Sequence, residues 1–181
     1  LSATNLNYLI TKTASDGATG DQFGYDVSID ETAGSYFIVG APFDDGHGSA
    51  YIFDYDGGAY PERTKLVPSD ASASDQFGIS VAMSKDNDHA IVGANQDDDG
   101  FNNSGSAYVF VSNDVDPVYK WQQLTKLNAN DFGSEDQFGR GVGISGNTAI
   151  VGAPLDNDTF SDSGSAYIFD VTDTQVTVAQ S

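Results

Sequence analysis

The 181-residue chain contains no cysteine, one methionine, one tryptophan and only seven lysines and arginines. Without cysteine, disulfide frameworks, thiolate zinc sites, iron–sulfur clusters and cysteine nucleophiles are excluded together, although the compartment is not identified by this. Against the seven basic residues stand 27 acidic ones, giving a formal charge of −20 and a pI near 4.1. Affinity for nucleic acid rests on Lys and Arg neutralising phosphates, so a nucleic-acid partner is not expected. Anionic membrane surfaces are disfavoured for the same reason. Long apolar runs are also missing. Stretches such as Ala149-Ile150-Val151 are strand-sized, far short of the roughly 18–20 residues of a spanning helix, and direct membrane insertion is not expected. The first residue is Leu1 and no basic-then-apolar leader follows it, which reads as a processed or partial chain.

What is present points to strands and turns. Hydrophobic residues make up 39% of the chain, enough for a core, and the length fits one domain. Glycine (20 residues) and aspartate are abundant, yet aromatic residues reach 12% and are interleaved with Val and Ile. Disordered chains lack those residues, whereas an all-β protein with many turns requires them.

Self-comparison shows three repeats. Asp21-Gln22-Phe23-Gly24 recurs as Asp75-Gln76-Phe77-Gly78 and Asp136-Gln137-Phe138-Gly139. Ile38-Val39-Gly40-Ala41-Pro42 recurs in step as Ile91-Val92-Gly93-Ala94-Asn95 and Ile150-Val151-Gly152-Ala153-Pro154. A third block, Gly48-Ser49-Ala50-Tyr51-Ile52-Phe53, returns at Gly105–Phe110 and Gly164–Phe169. A weaker block carries Thr11-Lys12, Thr64-Lys65 and Thr125-Lys126.

Each repeat reads as four strands. Phe23, Tyr25, Val27 and Ile29 alternate with smaller or polar residues, as do Phe77 to Met83 and Phe138 to Ile144, which is the period of a strand. The second strand is apolar on both faces, as in a sheet between neighbours. The fourth is more polar and carries three of the five lysines, read here as protection of an outer edge. The prediction is an all-β, β-propeller architecture of four-stranded antiparallel blades, about three of them present, with a β-sandwich or β-solenoid as rivals. Residues 1–20 read as the outer strand of a preceding blade (Leu6 to Lys12) plus a linker, 21–74 as the first blade, 75–135 as the second and 136–181 as the third. Since propellers close with about four to eight blades, three imply a longer chain, a dimer forming a six-bladed ring, or capping by partners.

The Phe-Gly at the start of each repeat and the Gly-Ala-Pro about 17 residues later resemble the FG-GAP repeat, the blade unit of integrin α-subunit heads. The wider pattern is more similar to the FG-GAP branch of bacterial and algal extracellular proteins. That resemblance covers residues 9 to 178. It implies a propeller, an interaction or adhesion role, and a location outside the cytosol: extracellular, cell-surface, periplasmic or in an organelle lumen. One departure matters. Integrin-type repeats carry an Asp-x-Asp-x-Asp-Gly-x-x-Asp calcium loop between the first two strands, and residues 30–35, 84–89 and 145–148 do not supply that spacing. The family's calcium site is therefore not carried over.

Fifteen of the 27 acids fall in loops expected on one propeller face, those joining strands two and three and those joining strand four to the next blade. No Lys or Arg lies in those loops. Two readings stand side by side: a surface that takes Ca²⁺ weakly or docks a basic protein by electrostatic steering, and ordinary turn chemistry that keeps a repeat protein soluble. Asp97, Asp98 and Asp99, with Asp156, Asp158 and Asp162, are the candidate metal or partner-binding carboxylates. Phe101, Phe160 and Phe132 lie in the same loops as candidate anchors for a protein or a sugar ring, or as residues folded back over the loop. Asn102-Asn103-Ser104 and Asn157-Asp158-Thr159 are glycosylation sequons.

Catalysis finds little footing. His47 and His89 sit in different kinds of loop and neither recurs, and no nucleophile elbow, phosphate loop or His-Glu-x-x-His occurs. The expected function is a non-enzymatic interaction or adhesion module. The alternatives are a structural subunit of a larger extracytoplasmic assembly and a carbohydrate-binding module.

Overall fold

In a computed structural model of the chain, the described residues are 9–30, 36–84, 89–112, 121–157 and 160–172. They form three antiparallel meander sheets packed in series. The first contains β1 (Val27–Ile29), β2 (Tyr36–Ala41), β3 (Ser49–Asp54) and β4 (Glu62–Leu66), in that order. The second contains β5 (Phe77–Ser84), β6 (His89–Ala94), β7 (Ser106–Ser112) and β8 (Trp121–Leu127). In the third, β9 (Gly141–Ser145), β10 (Thr148–Ala153) and β11 (Ser165–Asp170) are the strands among the described residues. A short 3₁₀ turn, Asp44–Gly46, lies between β2 and β3. The architecture is a partial propeller of antiparallel blades, as the alternation and the repeats predict, and not a sandwich.

The sheets bury one another's faces because the middle strands carry apolar residues on both sides. Ile38, Ile52 and Leu66 of the first sheet pack with Phe77, Val81 and Val92 of the second. One step along, Ile91, Val109 and Leu127 pack with Phe138, Ala149 and Val151 of the third. Each such side chain contributes about 1.5–3 kcal/mol when fully buried, so the interfaces between blades form the core.

Phe-Gly serves as a corner at the start of the strand. In the second blade Phe77 and Gly78 open β5 and the register shifts before Ser80, whereas in the first and third blades the ladder starts beyond the corner, at Val27 and Gly141. Gln22 and Gly24 have φ of 56° and 95°, and Gln76/Gly78 and Gln137/Gly139 repeat these values within about ten degrees. Such angles interrupt a regular ladder, seen in the second blade as the shift of register between Phe77 and Ser80. The corner also brings backbone against backbone. A Cβ at Gly40 would lie 2.0 Å from the Gly78 carbonyl oxygen, and one at Gly93 would lie 1.9 Å from that of Gly139. The small residue in Val-Gly-Ala is therefore required where the next blade's corner seats.

Residues 9–12, the described part of the expected leading outer strand, belong to none of the three sheets. Lys12 places its ammonium over the Phe53 ring, 5.7 Å from its centre.

Candidate interaction face

Five side chains converge at the end of the first blade. Tyr51, near the start of β3, donates its hydroxyl to Asp16 (2.8 Å) and Asp44 (2.9 Å). Lys65 of β4 lies opposite Tyr51 in the ladder. Its Nζ reaches Asp16, Asp44 and Asp45 at 2.7, 2.7 and 2.6 Å. Asp16 comes from the segment entering the blade, while Asp44 and Asp45 come from the turn between β2 and β3.

The second blade repeats the arrangement residue for residue. Tyr108 donates to buried Asp97 (2.6 Å), and Lys126, opposite Tyr108 across β7 and β8, contacts Asp70 and Asp97, both at 2.8 Å, and Asp99. In the third blade Tyr167 donates to Asp131 (2.8 Å) and Asp156 (2.5 Å). The last basic residue of the chain is Arg140, so residues 141–181 provide no lysine for this cluster.

The electrostatics follow from the contacts. Hydrogen bonding to Lys65 holds the Asp16 carboxyl below its ordinary value. Burial by itself would raise Asp44 and Asp70, but Lys65 and Lys126 respectively outweigh it and both are lowered. The lysines are raised because their carboxylate partners overcome the cost of burial. Burial and the adjoining carboxylates raise all three tyrosines, which stay protonated donors. Asp75 differs. Burial, with the charges of Asp97 and Asp98, pushes it up to about 6 despite an N–H bond from Ser72.

The connections between blades lie against these loops. Ser74 N–H donates to Gly46 O (2.7 Å), and Glu135 N–H to Asn102 O (2.8 Å). Sequence reading treats Lys65 and Lys126 as guards of an outer edge. The structure instead turns both ammonium groups into the acidic loops, so these loops are partly neutralised from within the blade.

The candidate residues fall into three groups. Asp97 and Asp99 join the Lys126 cluster and Asp156 joins the Tyr167 cluster, whereas Asp158 lies outside the described residues. Asp98 and Asp162 brace their loops: Asp98 accepts the Asn103 N–H at 2.7 Å, and the Asp162 N–H bonds Asn157 Oδ1 at 2.8 Å. Asn103 and Asp162 adopt matching φ of 49° and 53°, so the two loops share one backbone form. Phe101 is 54% exposed and rests 5.8 Å, ring to ring, from Phe132, and Phe160 is 75% exposed. Asn102 is exposed, with its side-chain amide on Glu135, and Asn157 uses its carbonyl oxygen on Asp162. His89 begins β6 and is buried rather than lying in a loop.

Sequence reasoning missed Tyr51, Tyr108 and Tyr167 with Asp16, Asp70 and Asp131 as partners. The signal was available, since all six recur in step with Asp-Gln-Phe-Gly.

The FG-GAP repeat family matches the chain over residues 12–53, 60–110 and 121–169. The chain belongs to the FG-GAP repeat family. In this FG-GAP protein the matched unit is staggered against the sheets: residues 60–110 run from the outer strand β4 of one blade through β5, β6 and β7 of the next. No curated protein is significantly similar to it.

Proposed function

We propose that the chain is a non-enzymatic interaction module of the adhesion type that works outside the cytosol and presents its acidic loop face to a basic protein. FG-GAP propellers are generally non-enzymatic, and the repeat is compatible with such a module. The observation that carries the reading is the combination of residual charge and exposed aromatic surface on one set of loops. In each of the first two clusters three carboxylates face a single ammonium, and Asp45 and Asp99 keep 63% and 55% of their side-chain surface in solvent. Phe101, in the same loop as Asp99, and Phe160, in the equivalent loop of the third blade, are both exposed. A face of this kind attracts cationic partners over distance through its charge and holds them at short range through apolar anchors.

A lysine-rich peptide immobilised on a biosensor tests the reading, with a glutamate-rich peptide as control. Binding that weakens with salt and falls at least several-fold in the Phe101→Ala/Phe160→Ala variant, at unchanged melting temperature, supports it. Unchanged binding in that variant overturns it, because charge alone would then account for the signal. Absence of binding overturns it as well.

A further inference from the structure

One methionine, one tryptophan and no cysteine stand against nine tyrosines in the chain. Thiols and thioethers ordinarily take up oxidising equivalents, and here the one thioether, Met83, is half-buried while Trp121 is buried. Oxidation is therefore directed to phenols. Three of these are engaged, since Tyr51, Tyr108 and Tyr167 donate their hydroxyls to aspartates. Tyr36 rests edge-on against Trp121, and Tyr25 is exposed. Among the described residues, Tyr55 and Tyr60 are the tyrosines whose rings meet each other.

The β3–β4 hairpin dictates this meeting. Asp54 N–H donates to Pro61 O and Asp56 N–H to Ala59 O, both at 3.3 Å. Tyr55 and Tyr60 lie between these bonds as a cross-strand pair with no ladder bond of its own, the position at which opposed side chains approach most closely. Asp56 holds the tip in shape, its Oδ1 accepting the N–H groups of Gly58 (3.2 Å) and Ala59 (2.8 Å). The bond from Ala59, and next that from Gly58, keep the Asp56 carboxyl below its ordinary value.

The two phenol rings lie 5.0 Å apart between centres and are inclined at 39°. Tyr60 is half-buried and is backed by Phe37 at 5.7 Å, which in turn stacks on Phe53 at 4.9 Å. Tyr55 is 41% exposed. One ring of the pair is thus open to an oxidant while the other is fixed beside it. The pairing is set within a single hairpin and does not depend on what adjoins the blade.

From this juxtaposition we infer that Tyr55 and Tyr60 form an oxidative cross-linking site, at which hydrogen peroxide acting through a haem peroxidase joins the two rings as dityrosine across the hairpin. Each phenol gives up one hydrogen atom, an electron and a proton, to the oxidised haem, and one peroxide is reduced to two waters. The two phenoxyl radicals then couple through ring carbons next to the hydroxyl-bearing carbon, forming one carbon–carbon bond. Each coupled carbon releases its proton while the phenolic oxygen takes one up, which restores both aromatic rings. The product has lost two hydrogen atoms in all. In a chain without cysteine this bond takes the place of a disulfide, fastening the outer strand of the first blade to the strand inside it.

The test treats the dilute purified chain with a haem peroxidase and limiting hydrogen peroxide. The expected product shows the blue fluorescence of dityrosine, runs at the mass of a single chain and is lighter by two hydrogen atoms. Proteolysis on the amino side of aspartate, in denaturant, separates Tyr55 from Tyr60 at Asp56 in the untreated chain. In the product, residues 54–55 should stay joined to the peptide 56–69. Tyr55→Phe and Tyr60→Phe keep the ring packing, and each should lower the single-chain fluorescence at least several-fold, whereas Tyr25→Phe should leave it unchanged. Fluorescence that persists in either hairpin variant overturns the inference. So does dityrosine found only in species of doubled mass, or a treated wild-type chain in which the peptides 54–55 and 56–69 separate.

Discussion

Lys126 stands directly across the β7–β8 ladder from Tyr108, with its ammonium 5.1 Å from the centre of the tyrosine ring. Lys65 and Tyr51 repeat the relationship at 5.5 Å. In both places the lysine sits among three aspartates, so it acts as an internal counter-ion joining the outer strand, the turn before the third strand and the segment that enters the blade.

Lys126→Met retains most of the side-chain stem and removes the charge. Asp70, Asp97 and Asp99 then face one another uncompensated, and the expected loss near neutrality is about 3 kcal/mol, typical of removing one partner from a buried pair. The wild-type Asp70 carboxyl is lowered, so its contribution is present above the unfolded value of about 3.8 and disappears as pH falls through the still lower folded value. The gap between wild type and variant, measured by thermal melts, should narrow toward about pH 4 as the crowded carboxylates of the variant take up protons.

Asp75→Asn has the opposite pH signature. Because the folded carboxyl is raised to about 6, the native state holds this proton more tightly than the unfolded chain. That stabilisation is fully present below the unfolded value of about 3.8 and is lost as pH rises through the folded one. The amide keeps an oxygen for the Ser72 N–H and removes the charge. The variant should therefore melt higher than wild type near neutrality, by up to about 3 kcal/mol in stability, with little difference near pH 4. Melts across that range check the slope.

Tyr108→Phe removes a hydrogen bond to the buried, charged Asp97 Oδ2, which keeps Lys126 as its other partner, at a cost of about 1–3 kcal/mol. The equivalent Tyr167→Phe acts where the ring is only partly buried, and a smaller loss is expected in denaturant titrations. Equal losses would contradict the reading.

Gly93→Ala places a methyl group 1.9 Å from the Gly139 oxygen and 2.4 Å from Ser80 Oγ. Overpacking on this scale forces the blades apart, with an expected loss of about 3 kcal/mol or more. Gly152→Ala, whose nearest neighbour would be 3.8 Å away, should retain the fold of the single chain. Urea unfolding of the two variants separates these outcomes.

Much of the architecture was legible in the chain because the repeats report the same local chemistry three times. Apolar residues on both faces of Ile91-Val92-Gly93-Ala94 required a sheet covered on both sides, and β6 is buried throughout. The Tyr–Asp–Lys clusters were harder to read. Lys65 meets Tyr51 only through the pairing of β3 with β4, and a shift of register between Ile52 and Phe53 sets which residues face each other. Composition could place the acids in loops but not show that lysines from a neighbouring strand enter them. The role of Gly40 and Gly93 was visible only as smallness, since the carbonyls that press on them come from corners about 40 residues further along the chain.

The stagger between the matched repeat and the sheet has a consequence for how the molecule comes apart. A duplicated unit that begins with one blade's outer strand and ends in the next blade's third strand works like a lap joint in timber. Deleting one unit would tear two sheets rather than remove one cleanly. Nearest-neighbour coupling in such an array is carried by the covalent chain as well as by packing, so the blades should melt as a single cooperative body, and the unit copied by duplication is not a unit able to fold alone.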